Sequence, residues 1–339
     1  MNFERLSPIL RDHTSAMDWL KINSARGKTD NTVFAYSYAL ADFIRFCQTE
    51  QIDYFQATRQ QVISYFNDLD NRPLLRHGIV VQCGLSTASR KQRLAVLRLY
   101  YNYLIHEKIR DTNPLSTEVQ VTKNRYGNSK RGVINHKKKS SWIPDANQLD
   151  RIYDAMKNES LRNKVMLMLS YECALRRGEL CLLQVDDISL GKHGNFLHIR
   201  GETTKTKKPH TAEFSDATKN MLIKYIAKRS TITNKDNKFL FVSESTQNRG
   251  KTITVWTWTK AVRIIAQRTH LPRFTPHTLR RLGISHFADQ GKSIREVADF
   301  AAHQSEDSTR IYIQRTPDAI HDTIEASLLK IAAYKQQKS

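Results

Sequence analysis

The chain has 339 residues, with 54 Lys and Arg against 33 Asp and Glu and a formal net charge of +21. This length is sufficient for two domains with their own hydrophobic cores, and this charge predicts a polyanionic partner. Membrane insertion is disfavoured because no apolar run approaches the about 18 residues that a spanning helix needs. The N-terminus carries early charge and no signal-peptide core, so we expect a cytoplasmic protein.

The cysteines show no spacing that is typical of a metal or disulfide framework. Cys47, Cys83, Cys173 and Cys181 form no Cys-x-x-Cys pair, which predicts reduced, mostly buried thiols. The sequence also contains no Walker loop and no cluster of Asp and Glu with metal-ligand spacing. We therefore expect neither a metal nor another cofactor.

Residues 1–116 carry apolar residues at three- and four-residue steps, which predicts a helical domain. The first stripe comprises Val33, Tyr36, Leu40, Phe43 and Cys47. The second stripe comprises Leu94, Leu97, Tyr101 and Leu104. Asp30 or Asn31 is available to cap the first helix, and Ser86 or Thr87 the second. Asn113–Pro114 ends this unit, because the residue before a proline is biased away from helical backbone.

Basic side chains lie on or just before the second stripe: Arg90, Lys91 and Arg93. A solvated helix face is one interpretation, and a surface that contacts DNA phosphates is the other. Both stay open at this point.

The composition changes over residues 117–140, and this change predicts an interdomain linker. From Lys123 to Lys139, seven basic residues occur without an acid, interspersed with Gly, Asn and Ser: Lys123, Arg125, Lys130, Arg131, Lys137, Lys138 and Lys139. Such a segment cannot bury a core. It is either a solvated tether or a segment that lies against DNA phosphates, and these two interpretations are compatible.

A second domain is predicted over residues 141–316. Apolar spacing indicates one helix around Leu149 to Met156 and a more buried one over 161–171. The box Ala-Leu-Arg-Arg-Gly-Glu-Leu then places Arg176 at a helix start, beside backbone N–H groups that suit a phosphate oxygen. Glu179, one turn later, can hold the Arg176 side chain. An ordinary surface salt bridge is the alternative.

A shorter periodicity follows, with two predicted strands near 196–200 and 210–214. The turn between them carries Lys205, Lys207 and Lys208. A ribbon with this tip fits a DNA groove and can deliver one ammonium to a leaving oxygen. In isolation, a solvated turn would be the simpler interpretation. Helices are predicted again over 217–230 and from Trp256 to Gln267, separated by a buried run at Phe239–Val242.

The stretch from Thr275 to Tyr312 contains the most reactive side chains. Thr275 can cap a helix on which His277 and Arg280 share one face. Gly291 ends that helix, and Ser293 with Glu296 forms a capping box for the next. His303 and Tyr312 follow. Residues 317–339 then predict an amphipathic tail helix that packs on its own domain or on a neighbouring protomer.

One guanidinium, two imidazoles and a phenol in this stretch suit a phosphodiester, since Arg binds its oxygens, His moves protons and Tyr can attack phosphorus. Taken singly, these residues have structural explanations. His-x-x-Arg is common on helix surfaces, and Tyr312 between Ile311 and Ile313 could belong to a core. The combination with the upstream Arg box and Lys turn favours a catalytic site.

Six residues in this order resemble the tyrosine recombinase (phage integrase) family: Arg176, Lys205, His277, Arg280, His303 and Tyr312. Two Arg boxes and the nine-residue step from His303 to Tyr312 carry the resemblance, which covers nearly the whole chain. The departures are Ala301-Ala302 where Leu-Gly is usual, Arg281 where His is usual, and Ala174 where Gly is common. None of them removes a reactive group.

The resemblance implies a mainly α, two-domain fold. The N-terminal part would be a SAM-like, helical core-binding bundle. The C-terminal part would be a mixed α+β catalytic domain with a small antiparallel sheet. It also implies cleavage and religation of DNA without metal or cofactor. Tyr312 would form a 3′-phosphotyrosyl link while Arg176 and Arg280 hold the non-bridging oxygens.

For the remaining site residues, the resemblance implies that His303 donates a further hydrogen bond and that His277 orients or deprotonates. Lys205 would protonate the leaving 5′-oxygen, with Lys207 as an alternative. The substrate would be double-stranded DNA recombination sites. A homotetramer would exchange strands through a Holliday junction, and accessory DNA-binding proteins would be compatible partners.

Two other functional classes fit many of these residues. A type IB topoisomerase would use nearly the same groups as a monomer, and a DNA-binding regulator would bind without chemistry. Among recombinases, the basic linker and the divergent boxes favour integration or transposition of a mobile element over resolution of chromosome dimers.

Overall fold

The computed structural model describes residues 3–76, 79–116, 123–124, 127–128, 142–233, 236–303 and 308–309. Tyr312, the predicted tail 317–339 and most of the predicted linker 117–140 lie outside the described residues. The chain divides into two compact units, residues 1–138 and 139–339, and this division falls inside the predicted linker.

The first unit is mainly helical. Its elements are α1 (Thr14–Ala25), α2 (Asp30–Thr49), α3 (Arg59–Asn71), β1 (Pro73–Arg76), β2 (Ile79–Cys83) and α4 (Thr87–His106). Two short 3₁₀ helices, Phe3–Arg5 and Pro8–Asp12, precede α1, and two-residue strands β3 (Lys123–Asn124) and β4 (Gly127–Asn128) follow α4. Both predicted apolar stripes contribute to its core, where Leu40 and Phe43 of α2 are buried together with Leu97 of α4.

The helix starts in this unit follow side-chain capping, with one correction to the sequence prediction. Ser86 caps α4, as predicted, by accepting a backbone N–H with its hydroxyl. Asp30 and Asn31 were the wrong candidates for α2, because Thr29 is its cap and accepts the N–H of Thr32. Asp30 is already in the first turn, where its negative charge suits the positive end of the helix dipole.

The β1–β2 hairpin was not predicted. The two strands pair antiparallel, from Pro73 opposite Cys83 to Arg76 opposite Ile79, with an irregularity after Leu74. The β-branched run at Ile79–Val81 was the available signal, but it is too short to outweigh the helical periodicity on both sides of it.

The second unit combines seven helices with one small sheet among its described residues. In chain order they are α5 (Ala146–Lys157), α6 (Leu161–Glu172), α7 (Arg177–Cys181), β5 (Ile188–Gly191), β6 (Gly194–Ile199), β7 (His210–Phe214), α8 (Asp216–Ser230), α9 (Val255–Arg268), α10 (Pro276–Asp289) and α11 (Ile294–Phe300). The predicted fold class, mainly α with a small antiparallel sheet in the second part, is confirmed.

The sheet has three strands in the order β5-β6-β7, all antiparallel. Leu197 in the central strand pairs with Ile188 on one side and with Ala212 on the other. The sequence predicted β6 and β7 but missed β5, whose four residues are mostly exposed and too few for the alternation of Ile188 and Leu190 to identify a strand. The Lys-bearing segment therefore joins a central strand to an edge strand.

Helix α6 lies at the centre of the second core. Val165, Met166 and Leu169 are fully buried, and α6 packs against both α8 and α10. The crossing with α10 is very close at Gly283, where any Cβ would collide with the backbone carbonyl of Tyr171. This contact fixes the height of α10, and hence of its N-terminal residues, relative to the end of α6.

Three expectations from the sequence concern the cysteines, a membrane span and a metal site. Cys47, Cys173 and Cys181 are buried free thiols and Cys83 is an exposed one, as predicted. Across the described ranges, no helix is both long and apolar enough to cross a membrane. The same part of the chain contains no group of three or more His, Cys, Asp or Glu arranged to hold a metal ion.

Candidate active site

Two helix C-termini create the framework of the site. Ala174 follows the end of α6 by two residues and Ala302 follows the end of α11 by two, and both residues have left-handed backbone, with φ of 46° and 45°. After α11, the N–H of Ala302 bonds to Asp299 O and the N–H of His303 to Ala298 O, the pattern of a Schellman cap. Each cap turns the chain sharply, so that Arg176 and His303 leave their helices directly into the same region.

The two arginines bind the carbonyl groups that these helix ends leave without partners. Arg280, which is buried on α10, donates from Nη1 to Ala174 O and from Nη2 to Ala301 O. Arg176 donates from Nη2 to Ala302 O at 3.1 Å. Terminal carbonyls carry the negative end of the helix dipole, so the same interactions that cap α6 and α11 orient both guanidinium groups.

The carboxylate of Glu179 holds both the backbone and the side chain of Arg176. Its carboxylate is almost completely buried, with Oε1 2.8 Å from Arg176 Nη1 and Oε2 2.7 Å from the Arg176 backbone N–H. A buried carboxylate needs both a counter-charge and hydrogen bonds, and Arg176 supplies both. This contact is the one that the sequence suggested, and it restricts Arg176 to one conformation.

A cavity of about 1110 Å³ opens in front of this framework, and its walls include Arg176, Lys205, His277 and Arg280. These four predicted residues come from the residue that precedes α7, the β6–β7 connection and α10. Lys207 and Lys208 are exposed on the same connection and are not among the lining residues. The geometry thus favours Lys205 over Lys207 as the lysine of the site.

The two imidazoles lie in a strongly positive environment. Burial and then the charges of Arg281, Arg280 and Arg176 lower the pKa of His277 to about 4. Burial, followed by the charges of Arg280, Arg176 and His277, lowers the pKa of His303 to about 4. Both rings are therefore neutral at pH 7 in the DNA-free chain. A neutral imidazole can accept a proton at one nitrogen and donate from the other.

His303 has a described hydrogen-bond partner that the sequence did not suggest. Its Nδ1 lies 2.9 Å from the hydroxyl oxygen of Thr309, and Thr309 is fully buried. Tyr312, three residues further along, lies outside the described residues, so its position relative to these groups stays a prediction.

Sequence reasoning also missed one wall of the cavity. Thr259, Arg263 and Gln267 follow each other at four-residue steps on α9 and line the same space, as do Arg177 and His270. The opposite face of α9 is buried through Trp258, Val262 and Ile265. The four-residue spacing of polar side chains opposite an apolar stripe was the signal that could have identified this face.

A third imidazole lies near the arginines. His210 begins β7 and is half-buried, and burial lowers its pKa, with Glu179, Arg176 and Arg280 among the charges that act on it. Its position at the start of a predicted strand gave no indication of this proximity.

Two of the basic side chains in the first unit that were predicted to contact phosphates form ion pairs with aspartates. Arg90 forms an ion pair with Asp70, and Arg93 lies 3.3 Å from Asp42. Both side chains remain partly exposed, and Lys91 is half-buried beside them. Of the predicted linker contacts, Lys123 is described only as part of β3. The others lie outside the described residues: Arg125, Lys130, Arg131, Lys137, Lys138 and Lys139.

Comparison with known proteins places both units in one family. Residues 144–318 match the phage integrase family, and residues 18–111 match the phage integrase N-terminal SAM-like domain. Among curated proteins, tyrosine recombinase XerD of Oceanobacillus iheyensis is 25% identical over 312 residues, which cover 89% of this chain and 93% of that protein.

Solved structures agree on the fold. The XerH site-specific recombinase bound to its palindromic difH substrate has a TM-score of 0.67 at 16% identity, covering 95% of this chain and 87% of that one. The Tn1549 transposon integrase in complex with transposon right end DNA also has a TM-score of 0.67, at 12% identity, covering 94% and 99%. Together with the family match over most of both units, this shows that the chain belongs to the phage integrase family and is a tyrosine-type site-specific recombinase, an enzyme that breaks and rejoins DNA.

Proposed function

We propose that this recombinase cleaves one strand of its DNA site with Tyr312 and holds the scissile phosphate between Arg176 and Arg280. The observation that carries the proposal is the rigid placement of both guanidinium groups by helix-terminal carbonyls, at the wall of a cavity that Lys205 and His277 also line. Preorganised donors of this kind stabilise the charge that develops on phosphate oxygens in the transition state.

The proposed step is balanced in bonds and protons. The Tyr312 phenolic oxygen attacks phosphorus and gives its proton to His277, whose ring is neutral before the step because burial and the nearby arginines lower its pKa. A new bond forms between the tyrosine oxygen and phosphorus while the bond to the 5′-oxygen breaks. Lys205 gives a proton to that leaving oxygen, and the products are a 3′-phosphotyrosyl link and a 5′-hydroxyl.

The reverse sequence rejoins DNA. A 5′-hydroxyl returns its proton to Lys205 and attacks the phosphotyrosyl group, and His277 returns the proton to Tyr312. Because the phosphodiester is exchanged for a phosphotyrosyl ester and back, the cycle consumes no high-energy cofactor. If the attacking 5′-hydroxyl comes from a second site, two such exchanges create and resolve a Holliday junction.

The DNA contacts beyond the site are assigned by charge and position. We assign the polar face of α9 and the Lys207–Lys208 turn to DNA next to the scissile phosphate, since both adjoin the cavity walls. The basic linker 117–140 and the surface around Lys91 would bind the phosphate backbone. Arg90 and Arg93 contribute there only by partly exchanging their pairing with Asp70 and Asp42 for phosphate.

For the biological setting, we propose integration or transposition of a mobile element in the cytoplasm, by a homotetramer on two DNA sites with accessory DNA-binding proteins where the element supplies them. The structural likeness to a transposon integrase is consistent with this use. The tail 317–339 would dock on the neighbouring protomer. Relaxation of plasmid without target sites would instead favour a topoisomerase-like activity, and tight binding without strand cleavage would favour a regulator.

A nicked suicide substrate tests the cleavage proposal. Loss of the short fragment next to the nick prevents religation, so the wild-type chain should accumulate a covalent protein–DNA adduct. Tyr312→Phe should give no adduct while binding the same DNA, and Tyr334→Phe, a matched change in the tail, should behave like wild type. An adduct formed by Tyr312→Phe would exclude Tyr312 as the nucleophile.

A further inference from the structure

The hydroxyl group of Thr309 is shielded from solvent next to a residue of the active site. It is completely buried, and it lies 2.9 Å from Nδ1 of His303. Within the part of the chain that the structure describes, His303 is the sole hydrogen-bond partner of this hydroxyl. Nothing in the proposed cleavage step assigns Thr309 a role.

Burial decides the direction of this hydrogen bond. A hydroxyl carries one proton and can also accept, whereas a neutral imidazole has one N–H and one accepting nitrogen. If Nδ1 carried the proton and donated it, the Thr309 proton would be buried without an acceptor, which is strongly unfavourable. If Thr309 donates, both groups are satisfied. Nδ1 is then the acceptor, and the proton of the neutral ring is on Nε2.

The surroundings keep the ring in this neutral form. Among the described residues, the charged and titratable groups that lower the pKa of His303 are Arg280 and His277 from α10 and Arg176 from the start of α7, and none of these is acidic. With burial, they lower the pKa of His303 to about 4. A protonated ring would carry N–H on both nitrogens and would again force Thr309 to accept.

We propose that Thr309 is a positioning residue for strand cleavage, which donates its hydroxyl proton to Nδ1 of His303 and thereby presents the Nε2–H of that ring to a non-bridging oxygen of the scissile phosphate. The inference rests on the proposed function, because it takes His303 as a donor to that phosphate. Thr309 itself touches no reacting atom. It fixes which nitrogen of His303 carries the proton and how the ring is rotated.

The tautomer can be measured directly on the full-length chain without DNA. The chain is labelled with ¹³C and ¹⁵N in histidine, and the His303 signals are identified among the 12 histidines by their loss in His303→Asn. At pH 7.5 we expect ring shifts of the Nε2–H tautomer in wild type and in Thr309→Ser. Thr309→Val, which keeps the shape but lacks the hydroxyl, should shift towards a mixture. A wild-type ring with its proton on Nδ1 would overturn the proposal.

Cleavage rates give a second and independent test. In single-turnover cleavage of the suicide substrate at saturating protein, Thr309→Val should be slower by about tenfold, since one transition-state donor is weakened rather than removed. Its half-saturating concentration for DNA should change less than twofold, and Thr309→Ser should recover most of the rate. In a His303→Asn background, Thr309→Val should change the rate by less than twofold. An equal tenfold loss there would mean that Thr309 acts on folding and not through His303.

Separate outcomes distinguish a wrong cleavage mechanism from a wrong role for Thr309. If wild type forms no adduct, or if Tyr312→Phe still forms one, the proposed function is wrong. If wild type cleaves through Tyr312 but Thr309→Val matches it in both rate and ring shifts, only the positioning role is wrong. If Thr309→Val does not fold, the wild-type tautomer and the rate of Thr309→Ser still decide the question.

Discussion

Replacement of Ala302 by glycine should stabilise the second unit. Ala302 has φ of 45°, a left-handed conformation that costs a residue with a Cβ roughly 1–2 kcal/mol and that glycine adopts freely. Glycine also gives the unfolded chain more freedom, which offsets about 0.4–1 kcal/mol of this gain. Since the Ala302 methyl group is only half-buried, little packing is lost. We expect a net stabilisation of about 0.5–1 kcal/mol.

Two other alanines provide the comparison. Ala174 has the same backbone conformation, with φ of 46°, but its methyl group is buried among Ile284, Val297 and Ala301. Deleting that methyl group costs up to about 0.8 kcal/mol, so Ala174→Gly should be nearly neutral. Ala227 is exposed in the right-handed helix α8, and Ala227→Gly should destabilise by roughly 0.5–1 kcal/mol.

Thermal unfolding followed by tryptophan fluorescence is a suitable assay, because Trp142, Trp256 and Trp258 all lie in the second unit and only Trp19 lies in the first. For a unit of this size, 1 kcal/mol corresponds to a midpoint shift of about 2–4 °C. Ala302→Gly should raise the midpoint and Ala227→Gly should lower it. If both substitutions lower the midpoint equally, the backbone at 302 is not left-handed, and the cap that positions His303 is described incorrectly.

Other consequences of the structure can be tested in the same protein. Arg280→Ala and Arg176→Ala should keep near-normal DNA binding in gel shifts but slow cleavage about a hundredfold or more, since losing one preorganised donor costs ~3 kcal/mol; a parallel loss of binding would make them simple phosphate contacts. Gly283→Ala should destabilise the chain by about 1–3 kcal/mol in urea unfolding, because the new Cβ meets the carbonyl of Tyr171; a stabilised variant would contradict this close crossing. His277 and His303 have folded-state pKa values of about 4, below the about 6.5 of an unfolded chain. The unfolded chain therefore binds more protons between these values, so the free energy of unfolding should fall as the pH is lowered from 7 to 4. The His277→Asn, His303→Asn double variant should show a flatter dependence, and an unchanged slope would assign the effect to other groups.

Local signals in the sequence predicted much of the site. The helix start at Thr275, the end at Gly291 and the capping box of Ser293 and Glu296 depend on neighbours within a few residues, and the structure has all three. The contact of Glu179 with Arg176 is equally local, because the two residues are one helical turn apart.

The other features of the site depend on contacts between residues that are far apart in the sequence. Arg280 donates to Ala174 O, 106 residues away, and no pattern around either residue predicts that pairing. In the sequence, Ala174 and Ala302 are visible only as departures from a family pattern. The structure shows that both adopt a conformation for which glycine is better suited. Strand β5 was missed because four residues with mostly exposed side chains give an alternation that is too short to identify a strand.

Identification of the residue that carries the DNA tests the central claim most directly. The adduct from the suicide substrate is digested with trypsin and nuclease, and the peptide that retains a nucleotide is sequenced by tandem mass spectrometry. We predict a 3′-phosphotyrosyl nucleotide on Tyr312 and release of a 5′-hydroxyl on the other DNA end. A nucleotide attached to any other residue, or a cleaved strand with a 5′-phosphoryl attachment, would contradict the account.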